Sequence, residues 1–501
     1  MKKRTFIKGA AIIAAGGFFS KAIGALYKIP LTNFIGGYGL GLYQMAYPIY
    51  CLLLTVSATG IPSSIACLAA ERLARGESEK PLLSAAMKLF LTVGAFGTIF
   101  MMILAPLLSA AQGERELIGG YLALAPSVFL VSAISVLRGI FQGRANMLPT
   151  ALSEIVEQIV KAALGLFFAW RFQADVFKAV TLMLASVSVS EAVALAYMIA
   201  VHKKAKNKQK EQKEQKEGGR VGVKTVFALS APVTFSSALF PLSSLIDSVV
   251  IVRLLGAYSE NAVSLFGLFS GAATTIVNLP ASVCYGLAAA SIPAVAAARG
   301  AGDCVELKKR VRYALFLTLA LSTAFAVGLY LLAGVAVNAV YGGLNATDRE
   351  LVIKMVRALC IGSVFLCGTQ TLSACLTAQK KPRYSFYSAL VAVVAKTVIG
   401  IVLVSKPEFS VFGAVIASNA CYFLDFLMNL LYNGKAIKSQ GEENENDHGS
   451  GTGRRKRRLN LKGQGSDFAS GERRETDRLP HGEHALLSKR EGSRRCARHA
   501  R

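Results

Sequence analysis

Apolar residues form twelve long segments between Phe6 and Asn433, and short polar gaps separate them. Each segment has roughly the 20 to 30 residues that an α-helix needs to cross the hydrocarbon core of a bilayer. The pattern therefore predicts an all-α polytopic membrane protein with twelve transmembrane helices. The predicted helices are 6–27, 42–70, 83–108, 120–137, 148–170, 176–201, 225–252, 263–298, 313–340, 351–378, 384–404 and 410–433.

Lysine and arginine are concentrated in every second gap. The gaps on the side of the N-terminus carry 26 of them, whereas those on the opposite side carry seven. Positive residues accumulate on the cytoplasmic side of membrane proteins, so the N-terminus and the end of helix 12 are predicted to be cytoplasmic. The formal net charge of +26 then faces anionic lipid of the inner leaflet, and no nucleic-acid partner is needed to explain it.

The composition agrees with a lipid environment and offers no sign of an enzyme. Hydrophobic residues make up 53% of the chain and the mean hydropathy is +0.46. All five histidines lie outside the predicted helices, and neither a metal-spaced Cys/His cluster nor a phosphate-binding glycine loop is present in the sequence. We therefore predict no enzymatic activity, no metal and no cofactor.

The twelve helices divide into two related groups of six. A lysine- and glutamate-rich segment, 202–224, is predicted to be a cytoplasmic linker between an N-terminal lobe, 1–201, and a C-terminal lobe, 225–435. The two lobes match weakly over helices 5 and 11, where Lys161 corresponds to Lys396. Transporters built from such repeats bind their substrate between the lobes and rock around it. Residues 436–501 lose the apolar pattern and are predicted to be a disordered charged tail.

Ionisable residues inside the predicted helices are the main site candidates, because charge is costly at membrane depth. Lys21 stands well inside helix 1, where it either faces the cleft as a cation or pairs with Asp247 or Glu191. Glu157 and Lys161 are spaced i, i+4 on helix 5, which predicts an internal pair.

Other charged residues in the helices have partners that the sequence leaves open. If Glu157 pairs with Lys161, Glu154 remains free to bind a cation or proton. Lys396 needs a partner from another helix or from the substrate. Asp247 is predicted to pair with Arg253 or with Lys21.

Three stretches, Ser20–Tyr50, Thr59–Glu77 and Leu148–Gly165, resemble the stage V sporulation protein B branch of the polysaccharide transporters. This branch is close to the lipid II flippases and lies within the multidrug/oligosaccharidyl-lipid/polysaccharide exporter superfamily. The resemblance implies a two-lobed fold of the multidrug-exporter type in the bacterial inner membrane. It also implies two further helices beyond the twelve, whereas the apolar pattern of this chain stops near Lys435.

The resemblance further implies a flippase that moves an undecaprenyl-pyrophosphate-linked glycan, such as lipid II, for cell-wall or spore-cortex synthesis. The flippases carry a basic residue in an S-(R/K)-x-x-G setting, which here is Ser20-Lys21-Ala22-Ile23-Gly24. H⁺, Na⁺ or the membrane potential would supply the energy. The expected partners are the lipid-linked glycan, membrane lipid and the wall or cortex synthesis machinery, with no nucleic acid.

The candidate residues fall into two sets. Those assigned to substrate binding are Lys21, Lys28, Gln44, Asp247, Arg253 and Lys396. Those assigned to ion coupling or to structure are Glu154, Glu157, Lys161 and Glu191. Two other functions remain open, namely a cation-coupled multidrug exporter and a non-transporting membrane scaffold. The flippases' further arginines in helices 2 and 8 have no counterpart here, which weakens the substrate assignment.

Overall fold

The protein is described by a computed structural model, which covers residues 3–58, 61–210, 238–300 and 303–463. Within these ranges it consists of helices and short connections, without a β-strand. In a bilayer only helices and closed barrels satisfy their own backbone hydrogen bonds, so long apolar segments fold in this way. The prediction of an all-α membrane protein is confirmed.

Fourteen α-helices are numbered here in chain order, and most run nearly the thickness of a membrane. Ten of the described helical stretches are long and apolar enough to span one. The helices are α1 Lys3–Ala58, α2 Ile61–Ala74, α3 Lys80–Gln112, α4 Ile118–Leu124, α5 Pro126–Gly143, α6 Leu148–Arg171, α7 Val176–Lys210, α8 Leu239–Gly256, α9 Ala262–Gly267, α10 Thr274–Gly300, α11 Cys304–Val340, α12 Ala346–Ala378, α13 Pro382–Val404 and α14 Phe412–Gly463.

The first helix corrects the predicted boundary between helices 1 and 2. The predicted outer gap, 28–41, is helical except for a bend at Gly36, whose φ of 67° lies in the left-handed region that glycine adopts without penalty. The bend separates two spans within α1. Lys28, which we had placed in a gap, therefore lies inside a helix.

Two polar segments also continue as helix where we predicted irregular chain. Helix α7 extends through Lys210, so the first residues of the predicted linker are helical, and residues 211–224 lie outside the described ranges. Helix α14 extends through Gly463, into the predicted tail. The chain up to Gly441 forms one compact unit, and the chain from Glu442 forms another.

The central part of α1 lies at the core of the first unit. Its buried side chains, such as Leu40 and Met45, pack in one apolar cluster with Tyr121 of the N-terminal half and with Phe266 and Tyr341 of the C-terminal half. The N-terminal half here means α1 to α7, and the C-terminal half means α8 to α14 up to Gly441. The two halves are thus joined through a shared apolar core.

Backbones of the two halves approach closely after the Gly36 bend. A Cβ atom on Gly41 would stand 2.1 Å from the carbonyl oxygen of Val263, and one on Gly267 would stand 2.3 Å from that of Gly37. Directly after Gly267, residues Leu268–Ala273 form a π-helical turn. Only glycine permits helices to meet at such a distance.

Hydrogen bonds between the halves surround this contact. Gln44 Nε2 donates to the Ser270 carbonyl oxygen at 2.9 Å, and Gln112 Nε2 donates to Ser248 Oγ at 3.0 Å. Arg253 donates from Nη2 to the Ala110 carbonyl oxygen at 3.1 Å. These residues lie toward the end of the helices opposite the basic connections, which the charge pattern predicts to be the outer end.

A cavity between the two halves

A cavity of about 340 Å³ lies between the halves, and α1 lines it with residues that precede and residues that follow the Gly36 bend. Its walls come from both spans of α1, from α6 and from α10. The lining residues are Ser20, Gly24, Tyr27, Lys28, Tyr43, Tyr47, Gln158, Lys161, Thr275, Asn278 and Leu279. A concave site between repeated halves is where transporters of this architecture bind their substrates.

Two lysines give the cavity its charge. Lys28 reaches it from α1 and Lys161 from α6, where Lys161 is only 8% exposed. Within the described residues, neither ammonium group makes an ion pair or a hydrogen bond. A buried charge is stable only when a counter-charge or water meets it. Two cations that share a cavity without a carboxylate therefore favour an anionic ligand.

The rest of the lining is neutral and suited to hydroxyl-rich groups. Tyr43 and Tyr47 stack with their ring centroids 5.2 Å apart, and Gln158, Thr275 and Asn278 bring side-chain amide and hydroxyl groups to the walls. Amides and hydroxyls both donate and accept hydrogen bonds. The cavity thus combines positive charge with polar groups and aromatic rings.

Lys21 was the leading candidate from the sequence. Its side chain lies outside the described part of the chain, although its backbone belongs to α1. Ser20 and Gly24, the first and last residues of the S-(R/K)-x-x-G setting that contains Lys21, both line the cavity. The role of Lys21 in substrate binding stays a prediction.

The predicted pair between Glu157 and Lys161 is wrong. Glu157 Oε2 instead accepts a bond at 3.1 Å from Arg138 on α5, whose Nε donates to Ser153 Oγ at 2.9 Å. Sequence reasoning missed Arg138 because it was counted in a cytoplasmic gap, whereas α5 continues to Gly143. Because the Arg138 guanidinium pairs with Glu157, Lys161 faces the cavity without this carboxylate as its partner.

Lys396 and Asp247 pair with each other. The Lys396 ammonium donates to the Asp247 carboxylate between α13 and α8, and both side chains are 15% exposed. The expectation that Lys396 has a partner on another helix is confirmed. Asp247 pairs with Lys396 and not with Arg253, which donates to the Ala110 carbonyl oxygen, whereas the alternative partner, Lys21, has its side chain outside the described residues. Neither residue lines the cavity described above, and their charges neutralise each other inside the C-terminal half.

The remaining candidates lie away from the cavity lining. Gln44 and Arg253 join the two halves at the glycine contact, as described above. Glu154 is half-buried one turn before Glu157 on α6 and interacts with other residues. Glu191 is fully buried on α7, where it accepts a bond from Tyr50. In the described part of the chain, no group of three His, Cys, Asp or Glu side chains could hold a metal ion.

Long apolar helices in two halves around a charged cavity define a polytopic transporter of the multidrug/oligosaccharidyl-lipid/polysaccharide exporter superfamily. The fold is that of the solved multidrug resistance MATE transporters. An inward-facing structure of one such transporter superposes with a TM-score of 0.71 at 17% identity, covering 84% of this chain and 96% of that one. An outward-facing structure gives 0.62 at 18% identity, covering 87% and 96%.

The chain belongs to the polysaccharide biosynthesis protein family, which it matches over residues 6–299. Residues 232–402 also match the MatE family. It is 28% identical to the stage V sporulation protein B of Bacillus subtilis (strain 168), over 83% of this chain and 81% of that protein. It is 22% identical to the lipid II flippase MurJ of the same organism, over 86% and 82%. The predicted family and the prediction of a multi-pass bacterial membrane protein are confirmed.

Proposed function

We propose that this transporter is a flippase for a lipid-linked glycan diphosphate, a precursor for cell-wall or spore-cortex synthesis. The observation that carries the proposal is the pair of lysines, Lys28 and Lys161, which face the cavity between the halves without an ionic partner among the described residues. A diphosphate brings two or more negative charges, and ammonium groups bind phosphate oxygens as strong, charge-assisted donors. The flippase name of one relative supports the same substrate class.

The remaining lining fits the rest of the head group. Tyr43 and Tyr47 offer aromatic faces, and Gln158 and Asn278 offer amides for the hydroxyl groups of a sugar. The polyprenyl tail is apolar and can stay in the bilayer, so the protein has to shelter only the head group. The head group would cross when the contacts around Gly41 open and the halves close on the opposite side.

The rival function, export of cationic drugs, requires carboxylates that face the ligand. Among the described residues that line the cavity, two are lysines and none is acidic. Of the buried acids described above, Glu157 is bound to Arg138 and Asp247 to Lys396, and Glu191 accepts a bond from Tyr50 away from the cavity lining. The charge of the cavity therefore favours an anionic substrate. A non-transporting scaffold would not need the lysines at all.

To test the proposal, variants of this protein in which one cavity lysine is replaced by glutamine are expressed in cells depleted of their own lipid II flippase. We expect Lys28→Gln and Lys161→Gln to lose complementation while membrane insertion stays normal, and lipid-linked precursor to accumulate in the inner leaflet. Lys21→Ala is expected to do the same if its side chain also faces the substrate. The matched control is Lys178→Gln, because this lysine lies over the Phe172 ring outside the cavity. Normal growth from both cavity variants would sink the proposal.

A second arm separates the substrate classes. Purified protein in lipid nanodiscs is titrated with a polyprenyl diphosphate and, separately, with a lipophilic drug cation. The flippase proposal expects the diphosphate to bind and Lys161→Gln to weaken it by about tenfold or more, since each lost charge pair at a few ångströms is worth one to several kcal/mol. Binding of the drug cation alone would favour the exporter.

A further inference from the structure

Glu191 is a buried carboxyl group that the proposed substrate site does not use. It lies on α7 and is 1% exposed. The Tyr50 hydroxyl donates to its Oε1 at 3.0 Å, whereas Oε2 has no hydrogen-bond partner within the described residues. A buried carboxylate with one hydrogen-bond donor is costly to keep charged, whereas a neutral carboxyl group tolerates the same site.

The charged groups that face Glu191 come from two helices. Arg138 on α5 is bonded to Glu157, and Lys161 on α6 lines the cavity; these three groups act electrostatically on Glu191. Helix α1 contributes the hydroxyl of Tyr50, with Tyr47 beside it. Helix α4 has no acidic or basic side chain, and the hydroxyl of its Tyr121 donates to Gln112.

This group of four ionisable side chains changes its net charge with one proton. When Glu191 is ionised, two carboxylates balance Arg138 and Lys161, and the group is neutral. When Glu191 is protonated, Arg138 still neutralises Glu157, and the full charge of Lys161 acts on the cavity. Coulomb interactions are strong in a site that excludes water, so this difference reaches a ligand beside Lys161.

Tyrosines connect Glu191 with the cavity. Tyr43 and Tyr47 line the cavity. The ring centroids of Tyr47 and Tyr50 lie 5.4 Å apart, and the Tyr50 hydroxyl donates to Glu191. Each hydroxyl can donate and accept a hydrogen bond. The row of tyrosines thus leads from the substrate space to the buried acid.

We propose that Glu191 is a proton-binding site that sets the affinity of the cavity for its anionic substrate. The inference rests on the proposed function, because it needs an anion next to Lys161. Protonation of Glu191 strengthens anion binding. By linkage, a bound anion promotes protonation of Glu191 in return.

The experiment measures how binding of geranylgeranyl diphosphate to the full chain in nanodiscs depends on pH. The diphosphate itself titrates in this range, so the readout is the affinity of the wild type relative to Glu191→Gln at each pH. Glutamine has the shape of the protonated acid and keeps the fold. We expect the affinity of the wild type to approach that of Glu191→Gln as the pH falls, and to drop below it by on the order of tenfold as the pH rises and Glu191 ionises.

Two further variants and one spectrum make the test specific. Tyr50→Phe removes the one hydrogen bond that the carboxylate accepts from the described residues, so it should move the midpoint of the pH dependence upward. Glu114→Gln, which removes a carboxyl outside the cavity that accepts a bond from Tyr38, should behave as the wild type. Infrared difference spectra on ligand binding should show the carbonyl band of a protonated carboxyl group, and Glu191→Gln should abolish it.

The outcomes separate the two proposals. A wild-type to Glu191→Gln ratio that stays constant with pH, with normal diphosphate binding, overturns the inference and leaves the flippase standing. No diphosphate binding at any pH overturns the proposed function itself. Retention of the infrared band in Glu191→Gln assigns the proton to another carboxyl group and also overturns the inference.

Discussion

At the scale of single residues, the ion pair of Lys396 with Asp247 shows how two charges inside the membrane are neutralised within the protein. Both groups are largely buried, and each neutralises the other. Breaking a buried pair leaves one charge without a partner and costs about 3–5 kcal/mol, whereas replacing both partners by apolar side chains is often neutral. The pair is therefore expected to stabilise the C-terminal half without contacting substrate.

We predict that Lys396→Met lowers the thermal stability of the detergent-solubilised protein and its yield in the membrane. The double variant Lys396→Met with Asp247→Leu should recover both and should transport normally. Fluorescence-detected thermal unfolding and complementation in flippase-depleted cells measure the two effects. A stable double variant that fails to transport would show that the pair takes part in function.

The same residue scale shows where sequence reasoning stopped. Lys161 and Lys396 occupy corresponding positions of the internal repeat, and spacing alone gave the first a partner and left the second without one. The structure reverses this, because Arg138 takes Glu157 and Asp247 takes Lys396. Spacing along one helix identifies only neighbours on that helix. The partner of a buried charge can come from another helix packed against it.

At the scale of elements, the lengths of most helices could be predicted, because apolar length reports the thickness of the bilayer. The helical structure of residues 28–41 could not be predicted. Their glycines and polar residues are typical of a loop, yet here they allow α1 to bend at Gly36 and to pack closely against α9. The ends of α7 and α14 were also missed, because polar helices beyond the membrane leave no apolar signal.

The glycine contact makes a prediction of its own. Gly41→Ala would place a methyl group 2.1 Å from the backbone oxygen of Val263, and neither backbone can yield without moving the halves apart. We expect the outer contact to open and transport to fall. The check is the rate at which a membrane-impermeant thiol reagent modifies a cysteine introduced at Ser270, which faces Gln44 across this contact.

Gly328→Ala on α11 is the matched control, since an added methyl group there meets open space. Alanine favours helix by up to about 1 kcal/mol over glycine, so this variant should be at least as stable as the wild type. If Gly41→Ala left the modification rate at Ser270→Cys unchanged, the glycine contact would not hold the halves together.

At the scale of the whole molecule, the contacts between the halves define one state of a transport cycle. Hydrogen bonds from Gln44, Gln112 and Arg253 cross between the halves near the predicted outer end. Transport then requires these bonds to break and re-form in each cycle.

A covalent link across the closed end should therefore stop the cycle. Asn33 on α1 donates from Nδ2 to the Val340 carbonyl oxygen at 3.1 Å, and its Oδ1 accepts from the Gly343 backbone N–H at 3.0 Å. A Cβ atom on Gly343 would lie 2.9 Å from that of Asn33, which is closer than the separation of about 3.8 Å that is typical of a disulfide. A small shift of the connection that carries Gly343 would accommodate the bond.

We predict that Asn33→Cys with Gly343→Cys, in a background without other cysteines, forms a disulfide under mild oxidation and traps the protein with the cavity closed to the outer side. Transport of lipid-linked precursor in proteoliposomes should cease on oxidation and return after reduction. Each single cysteine variant controls for the loss of the Asn33 hydrogen bonds and for the new side chain at Gly343. Because the link leaves Lys28 and Lys161 untouched, the trapped protein should still bind a polyprenyl diphosphate from the cytoplasmic side. Undiminished transport by the fully cross-linked protein would show that the halves do not separate at this end, and alternating access through this cavity would then be wrong.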